Sequence, residues 1–195
     1  MDRPFNPLEK AHLAESTARA LLLRPLEKLP PSEPFEAAGI YAIYYLGKSE
    51  FYRGLNNKGE PTPIYVGKAD PKGGRQGALG WDTPPGYALH NRLRKHAQSI
   101  AAADNLDLSD FRCRYLWVDE AWIRLAERVL IMWFKPVWNL VVDGFGNNDP
   151  GSGRYKQARS SWDTLHPGRE WAMKCALGRN PIDQIVKKID THLEN

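Results

Sequence analysis

Between positions 8 and 24 the apolar residues Leu8, Leu13, Ala14, Ala18, Leu21 and Leu22 recur among charges, the spacing of an amphipathic N-terminal helix. The proline-rich stretch "RPLEKLPPSEP" stops it and reads as a linker. Ile40 to Leu46, rich in tyrosine and isoleucine, predicts a strand, and Ile64 to Val66 predicts a second, shorter one. The polar, turn-rich segment "GKSEFYRGLNNKGEPTP" between them predicts an antiparallel pair with a long connection. Residues 68 to 86 hold five glycines and three prolines and read as loop. Leu89, Leu93, Ala97 and Ile100 then form one apolar stripe, so a helix starts near Tyr87 or Ala88. "FRCRYLWV" alternates from Phe111 and predicts a third strand. "DEAWIRLAERVLIMWFKP" predicts a long apolar helix with Asp119 near its start and Pro136 as its stop. "VWNLVV" reads as a short strand. From Gly144 the chain is glycine-rich and basic, then aromatic, and "PIDQIVKKIDTHLEN" predicts a terminal helix.

With 195 residues, 42% of them apolar, the chain can build one full domain or a domain with an appendage. A formal charge of +4 and a pI of about 9.0 permit a polyanionic partner without requiring one. The two cysteines, Cys113 and Cys175, form no CxxC and no His/Cys cluster. This argues against a structural zinc site and fits a reducing compartment. Asp2, Glu9 and Glu15 punctuate the N-terminus, whose longest apolar run is Leu21 to Leu23, so neither a signal peptide nor a membrane span is expected there. A cytoplasmic location is the expectation.

Arg92 and His96 stand four residues apart on the predicted helix, hence on one face and beside the buried stripe rather than opposite it. Such a pair can hold a phosphate and polarise its oxygens; this helix alone reads first as a solvated charged face with a passing histidine. Glu127 is flanked by Ile123, Leu130 and Ile131 one turn away on either side. Burying an unpaired carboxylate is costly, so this acid either pairs with an arginine or ligates a metal ion. Magnesium often takes only one or two protein carboxylates.

In order, these features resemble the GIY-YIG nuclease superfamily. Gly39-Ile40-Tyr41 stands on the first strand and Tyr65-Val66-Gly67 on the second, followed by Arg92, Glu127 and Asn139. The likeness covers roughly residues 38 to 142. Val66 replaces isoleucine, and the connection of 23 residues between Tyr41 and Tyr65 is longer than is usual in the family. His96 stands where many members carry tyrosine. "PIYVGKA", "NRLRKH", "NLDLSDF", "KPVWN", "VVDGFGN" and "HPGREWA" further resemble small type II restriction endonucleases on this core. Members with this C-terminal region cut the palindrome CCGCGG.

The resemblance implies an α+β fold. A small antiparallel or mixed sheet is flanked by helices, with an N-terminal arm and linker over 1–37, a catalytic core over 38–142 and a packed C-terminal extension over 143–195. It implies Mg²⁺-dependent hydrolysis of DNA phosphodiesters, with repair or recombination cleavage and non-catalytic DNA binding as the other readings. Glu127 would hold the metal, Tyr41 would act as base toward water, and Arg92 would clamp the phosphate. Tyr65 and His96 would contact phosphate or relay protons, and Asn139 would hydrogen-bond Glu127 or a tyrosine. Because a phenol is a poor base at neutral pH, a cation must favour the phenolate, and Lys68 is the candidate. The two tyrosines would converge from opposed strand positions, and the motif glycines would leave room for the DNA backbone.

DNA contacts are expected from Lys72, Arg75 and Arg94, and from Arg154, Lys156 and Arg159 after Gly144. A palindrome is matched by a homodimer with one active site per strand. The N-terminal helix, with Leu13, Leu21 and Leu22, would either enter the dimer contact or cover the core's own sheet. The resemblance also implies a cognate DNA methyltransferase as genetic partner.

Overall fold

The computed structural model describes residues 9–56, 59–71 and 84–194. Its centre is a four-stranded, wholly antiparallel sheet of order β1-β4-β2-β3, with β1 Glu27–Lys28, β2 Gly39–Tyr45, β3 Pro63–Ala69 and β4 Phe111–Trp117. The fold is α+β.

Every residue of β2 is buried, because helices cover both faces of the sheet. Tyr41, Ile43 and Tyr45 enter one apolar cluster with Leu89, Leu93, Ala97 and Ile100 of helix α2 (Ala88–Ala101). Ile40, Ala42 and Tyr44 enter the other, with Ile123, Ala126 and Leu130 of helix α3 (Glu120–Phe134). A strand buried on both sides is apolar throughout and not alternating, as β2 is.

Helix α1 (Lys10–Leu22) lies against α3 and buries Ala14, Ala18 and Leu21 there. Leu21 is therefore spent inside the chain, on the helical layer over the sheet, and the helix serves the core's own covering. The linker also does more than connect, since Glu27 and Lys28 pair with Cys113 and Arg112 at the sheet edge.

Asp119 caps α3 by accepting from the Ala121 N–H at 2.9 Å. Lys135 ends it in the left-handed conformation, φ 43°, just before Pro136. The expected strand in "VWNLVV" is instead a single helical turn, α4 (Val137–Leu140), entered from Pro136. A short apolar run fits either structure, and here burial of Trp138 decides it.

Helices α5 (Ser161–Leu165), α6 (Glu170–Met173) and α7 (Ile182–Leu193) follow. Trp162 and Leu165 of α5 and Ile185 and Ile189 of α7 join the same buried cluster as Tyr41 and Leu93, so the C-terminal segment shares the core on the α2 face of the sheet. Two buried hydroxyl–imidazole networks hold this face together. In one, Trp138 Nε1 donates to Tyr52 Oη at 2.7 Å, Tyr52 bonds His166 Nε2 at 2.5 Å, and His166 Nδ1 meets Asn105 Oδ1 at 2.8 Å. This ties the long β2–β3 connection to α4 and α5. No helix of the described residues is long and apolar enough to cross a membrane.

Candidate active site

The second network is the site itself. Tyr41 points from β2 toward α2, and its hydroxyl lies 2.6 Å from His96 Nε2. Arg92 Nε donates into the same oxygen at 3.4 Å, which leaves the phenol's own proton for the imidazole. The four-residue spacing thus brings both α2 side chains to one phenol.

Tyr65 does not face Tyr41 directly. Tyr41 pairs with Gly67, and Ile43 pairs with Tyr65, so the tyrosines sit on a diagonal with ring centroids 6.3 Å apart. Gly67 makes the diagonal possible: a Cβ there would lie 2.3 Å from the Tyr41 hydroxyl oxygen. A Cβ at Gly39 would lie 2.0 Å from the Leu116 carbonyl oxygen of β4. Both motif glycines therefore admit the protein's own groups at close range.

Tyr41, Tyr65, Lys68, Asp70, Arg92 and Glu127 border one open cleft at the free edge of β3. Burial raises the Tyr41 phenol well above its ordinary range, Tyr65 adds to this, and Arg92 opposes it. Tyr65 is raised for the same first reason, again with Arg92 opposing. His96, 2% exposed, is driven well below its ordinary range by burial and then by the positive charges of Arg92 and Arg169. It is a neutral imidazole with a lone pair for the phenol proton.

Lys68 does not serve Tyr41. Its Nζ pairs with Asp70, and the cation beside the phenol is Arg92. Lys68 acts instead on Glu127, whose carboxyl burial pushes up while Lys68 pulls it down and Asp70 pushes it further up. Asn139 also departs from expectation. Its Oδ1 accepts from the Val66 N–H and its Nδ2 donates to the Val66 carbonyl, both at 2.8 Å. The amide thereby completes the open edge of β3 like a missing strand, and it hydrogen-bonds neither Glu127 nor a tyrosine.

Among the described residues no cluster of three or more His, Cys, Asp or Glu forms a closed metal site, and Glu127 makes no hydrogen bond or ion pair. A single half-buried, unpaired carboxylate facing a cleft fits a hard divalent cation that keeps most of its waters. The donor set suits magnesium and does not suit zinc.

The turn behind His96 and Arg92 is not among the expected site residues. Phe145 stacks on His96, with centroids 4.5 Å apart and rings 19° from parallel, and the Gly146 carbonyl accepts from Arg92 Nη2 at 3.4 Å. The segment "VVDGFGN" stood out in the sequence, but nothing local tied it to a helix fifty residues upstream.

Of the expected DNA contacts, Arg94 is exposed on α2 at the cleft. Arg154 and Lys156 are exposed on the C-terminal segment. Arg159 is committed to the protein, donating to the Ala172 carbonyl at 3.0 Å and the Met173 carbonyl at 3.5 Å. Lys72 and Arg75 lie outside the described residues.

The arrangement agrees with comparison to known families: the family model for the Eco29kI GIY-YIG domain matches residues 33–193. The chain belongs to this family of restriction endonuclease domains. The match takes in strands β2, β3 and β4, helices α2 and α3 and the C-terminal segment, and leaves out the N-terminal helix and strand β1. No curated protein sequence matches. DNA is the substrate that a restriction endonuclease domain implies.

Proposed function

We propose that this GIY-YIG endonuclease is a type II restriction enzyme that hydrolyses DNA phosphodiesters with the help of Mg²⁺ held by Glu127. The observation that supports it best is the Tyr41–His96 contact of 2.6 Å, with Arg92 at the same oxygen, on the cleft that Glu127 borders.

The chain's own groups divide the work. A free Tyr41 phenolate is disfavoured by burial, so Tyr41 acts without becoming one. Its oxygen takes a proton from the attacking water as its own proton passes to His96 Nε2, and little charge develops on the ring. The imidazolium this leaves is costly beside Arg92, and the negative charge growing on the attacked phosphate offsets that cost. Arg92 clamps the phosphate, and Tyr65 donates to one of its oxygens. When bound, the magnesium ion supplies charge stabilisation at the leaving 3′ oxygen. Asn139 keeps β3 straight, so that Tyr65 and Gly67 stay in register with Tyr41.

One chain carries one Glu127 and one Tyr41–His96 pair, enough to cut one strand. A palindrome presents the same phosphate twice, so a symmetric dimer on DNA supplies one site per strand. The GC-rich sequence CCGCGG, which the resemblance implies, is the first site to test, and a genetically linked methyltransferase would protect it. Plasmid is incubated with the purified protein and Mg²⁺ and the ends are sequenced. A fixed palindrome with symmetric cuts is expected, whereas heterogeneous ends, or cleavage confined to branched DNA, would mean a repair-type nuclease. Light scattering that finds one 22.1 kDa chain per duplex during double-strand cleavage would remove the dimer.

A further inference from the structure

Arg169 takes no part in the chemistry above, yet it is 4% exposed and fully engaged. Its Nε donates to Asp163 Oδ1 at 2.6 Å, and Asp163 is itself 2% exposed. The other oxygen of Asp163 accepts from Ser160 Oγ at 2.6 Å. The guanidinium carbon lies 4.5 Å from the ring centroid of Trp162 and 4.8 Å from that of Trp171. A buried ion pair stabilises little unless its remaining donors are satisfied. Here every guanidinium nitrogen has a partner: Nη2 donates to the Gly144 carbonyl at 3.0 Å, and Nη1 to those of Phe145 at 3.2 Å and Asn147 at 3.3 Å.

One guanidinium thus gathers the carbonyls of a single turn, and that turn backs the side chains of the candidate active site. Phe145 stacks on His96, and the Gly146 carbonyl meets Arg92. A Cβ on Gly146 would lie 3.1 Å from both Arg92 Nη2 and Tyr65 Oη, so the backbone itself presses on the catalytic pair.

We propose that Arg169 is a positioning residue of the active site: through the Gly144–Asn147 turn it holds His96 and Arg92 in place around Tyr41. The catalytic unit then extends into the C-terminal segment. The expected effect on rate rests on the cleavage reading above; the geometry does not. Among the described residues, the charged and titratable groups that face His96 are Tyr41 from β2, Tyr65 from β3, Arg92 from the same helix and Arg169 from the C-terminal segment. Arg169 joins burial and Arg92 in lowering the imidazole's affinity for protons.

A residue that only stabilises the fold would lower the melting temperature and leave the folded enzyme's rate alone. Arg169→Met, made alone and in a His96→Ala background, separates the two roles. The positioning role predicts a single-turnover cleavage rate at saturating DNA lowered about tenfold to a hundredfold, with DNA affinity unchanged. It predicts a smaller loss once His96 is alanine, where only the Arg92 contact is left to hold, and an NMR titration in which the His96 imidazole protonates at higher pH than in the unmutated protein. An unchanged rate, an equal loss in the His96→Ala background, or an unmoved imidazole titration each overturns it. Should Arg169→Met fail to fold, Phe145→Leu keeps the clamp and removes only the ring on His96. The same rate loss, absent in the His96→Ala background, is expected, and cleavage at the unmutated rate overturns the proposal. The imidazole titration needs no activity: if the unmutated protein proves inert, the cleavage reading fails while a moved or unmoved His96 resonance still decides this inference.

Discussion

The phenol oxygen of Tyr41 and Nε2 of His96 lie 2.6 Å apart across a sequence separation of 55 residues. A second such pair, Tyr52 and His166, is equally close but sealed among Trp138, Asn105 and Phe51. A tyrosine–imidazole bond alone is therefore structural chemistry. What distinguishes the first pair is the open cleft with Arg92 and Glu127 on its border.

Tyr41→Phe removes only the hydroxyl from a ring packed on all sides. Cleavage should fall at least about a hundredfold, the usual scale for a general base, with the melting temperature nearly unchanged. His96→Ala should fall by a similar factor, and the double variant should be no slower than either single one, because the two groups move one proton. Rates that multiply in the double variant would mean that they act separately.

Glu127→Gln keeps shape and removes the charge. Since the carboxylate has no ion-pair partner among the described residues, folding should be unharmed and DNA binding retained, while Mg²⁺-dependent cleavage is lost. Cleavage by this variant at the unmutated rate in Mg²⁺ would dismiss the metal role.

The core was largely legible in the sequence. The stripe of Leu89, Leu93, Ala97 and Ile100 is buried as its spacing predicts, and the Arg92–His96 spacing delivers both side chains to Tyr41. What escaped depends on long-range partners. Asn139 bonds Val66 from 73 residues away, and no local pattern reveals that an amide will finish a strand edge. Lys68 has its partner two residues on, Asp70, but a pairing inside a polar stretch looks like any solvated charge. Arg169 sits in "HPGREWA", beside glycine and tryptophan that suggest a turn, and its burial follows only once the carbonyls of residues 144 to 147 are placed around it.

Gly67→Ala tests the register between the two motifs. Its new methyl would sit 2.3 Å from the Tyr41 oxygen and 2.5 Å from the ring carbon that carries it, and a ring buried on both sides has nowhere to withdraw. The hydroxyl must leave His96 or the strands must part. Cleavage should drop at least about a hundredfold, comparable to a misplaced reacting group, and stability should fall by about 1–3 kcal/mol from overpacking. Near-normal cleavage would show that Tyr41 can move without consequence, and the base assignment would fall with it.

The sealed histidine sets a pH dependence of stability. Burial lowers His166 from 6.5 to about 3 in the folded protein. Between those values the unfolded chain binds a proton that the native one refuses. The contribution is thus fully present above pH 6.5 and is lost as pH falls toward 3, at about 1.4 kcal/mol per pH unit. His166→Gln can keep a hydrogen bond to Tyr52 but cannot titrate. Urea midpoints measured between pH 7 and pH 4.5 should therefore fall less steeply for this variant, even though it starts out less stable at pH 7. Parallel slopes for the two proteins would mean that His166 accepts its proton in the folded state, and that Tyr52 and Asn105 hold it as a cation.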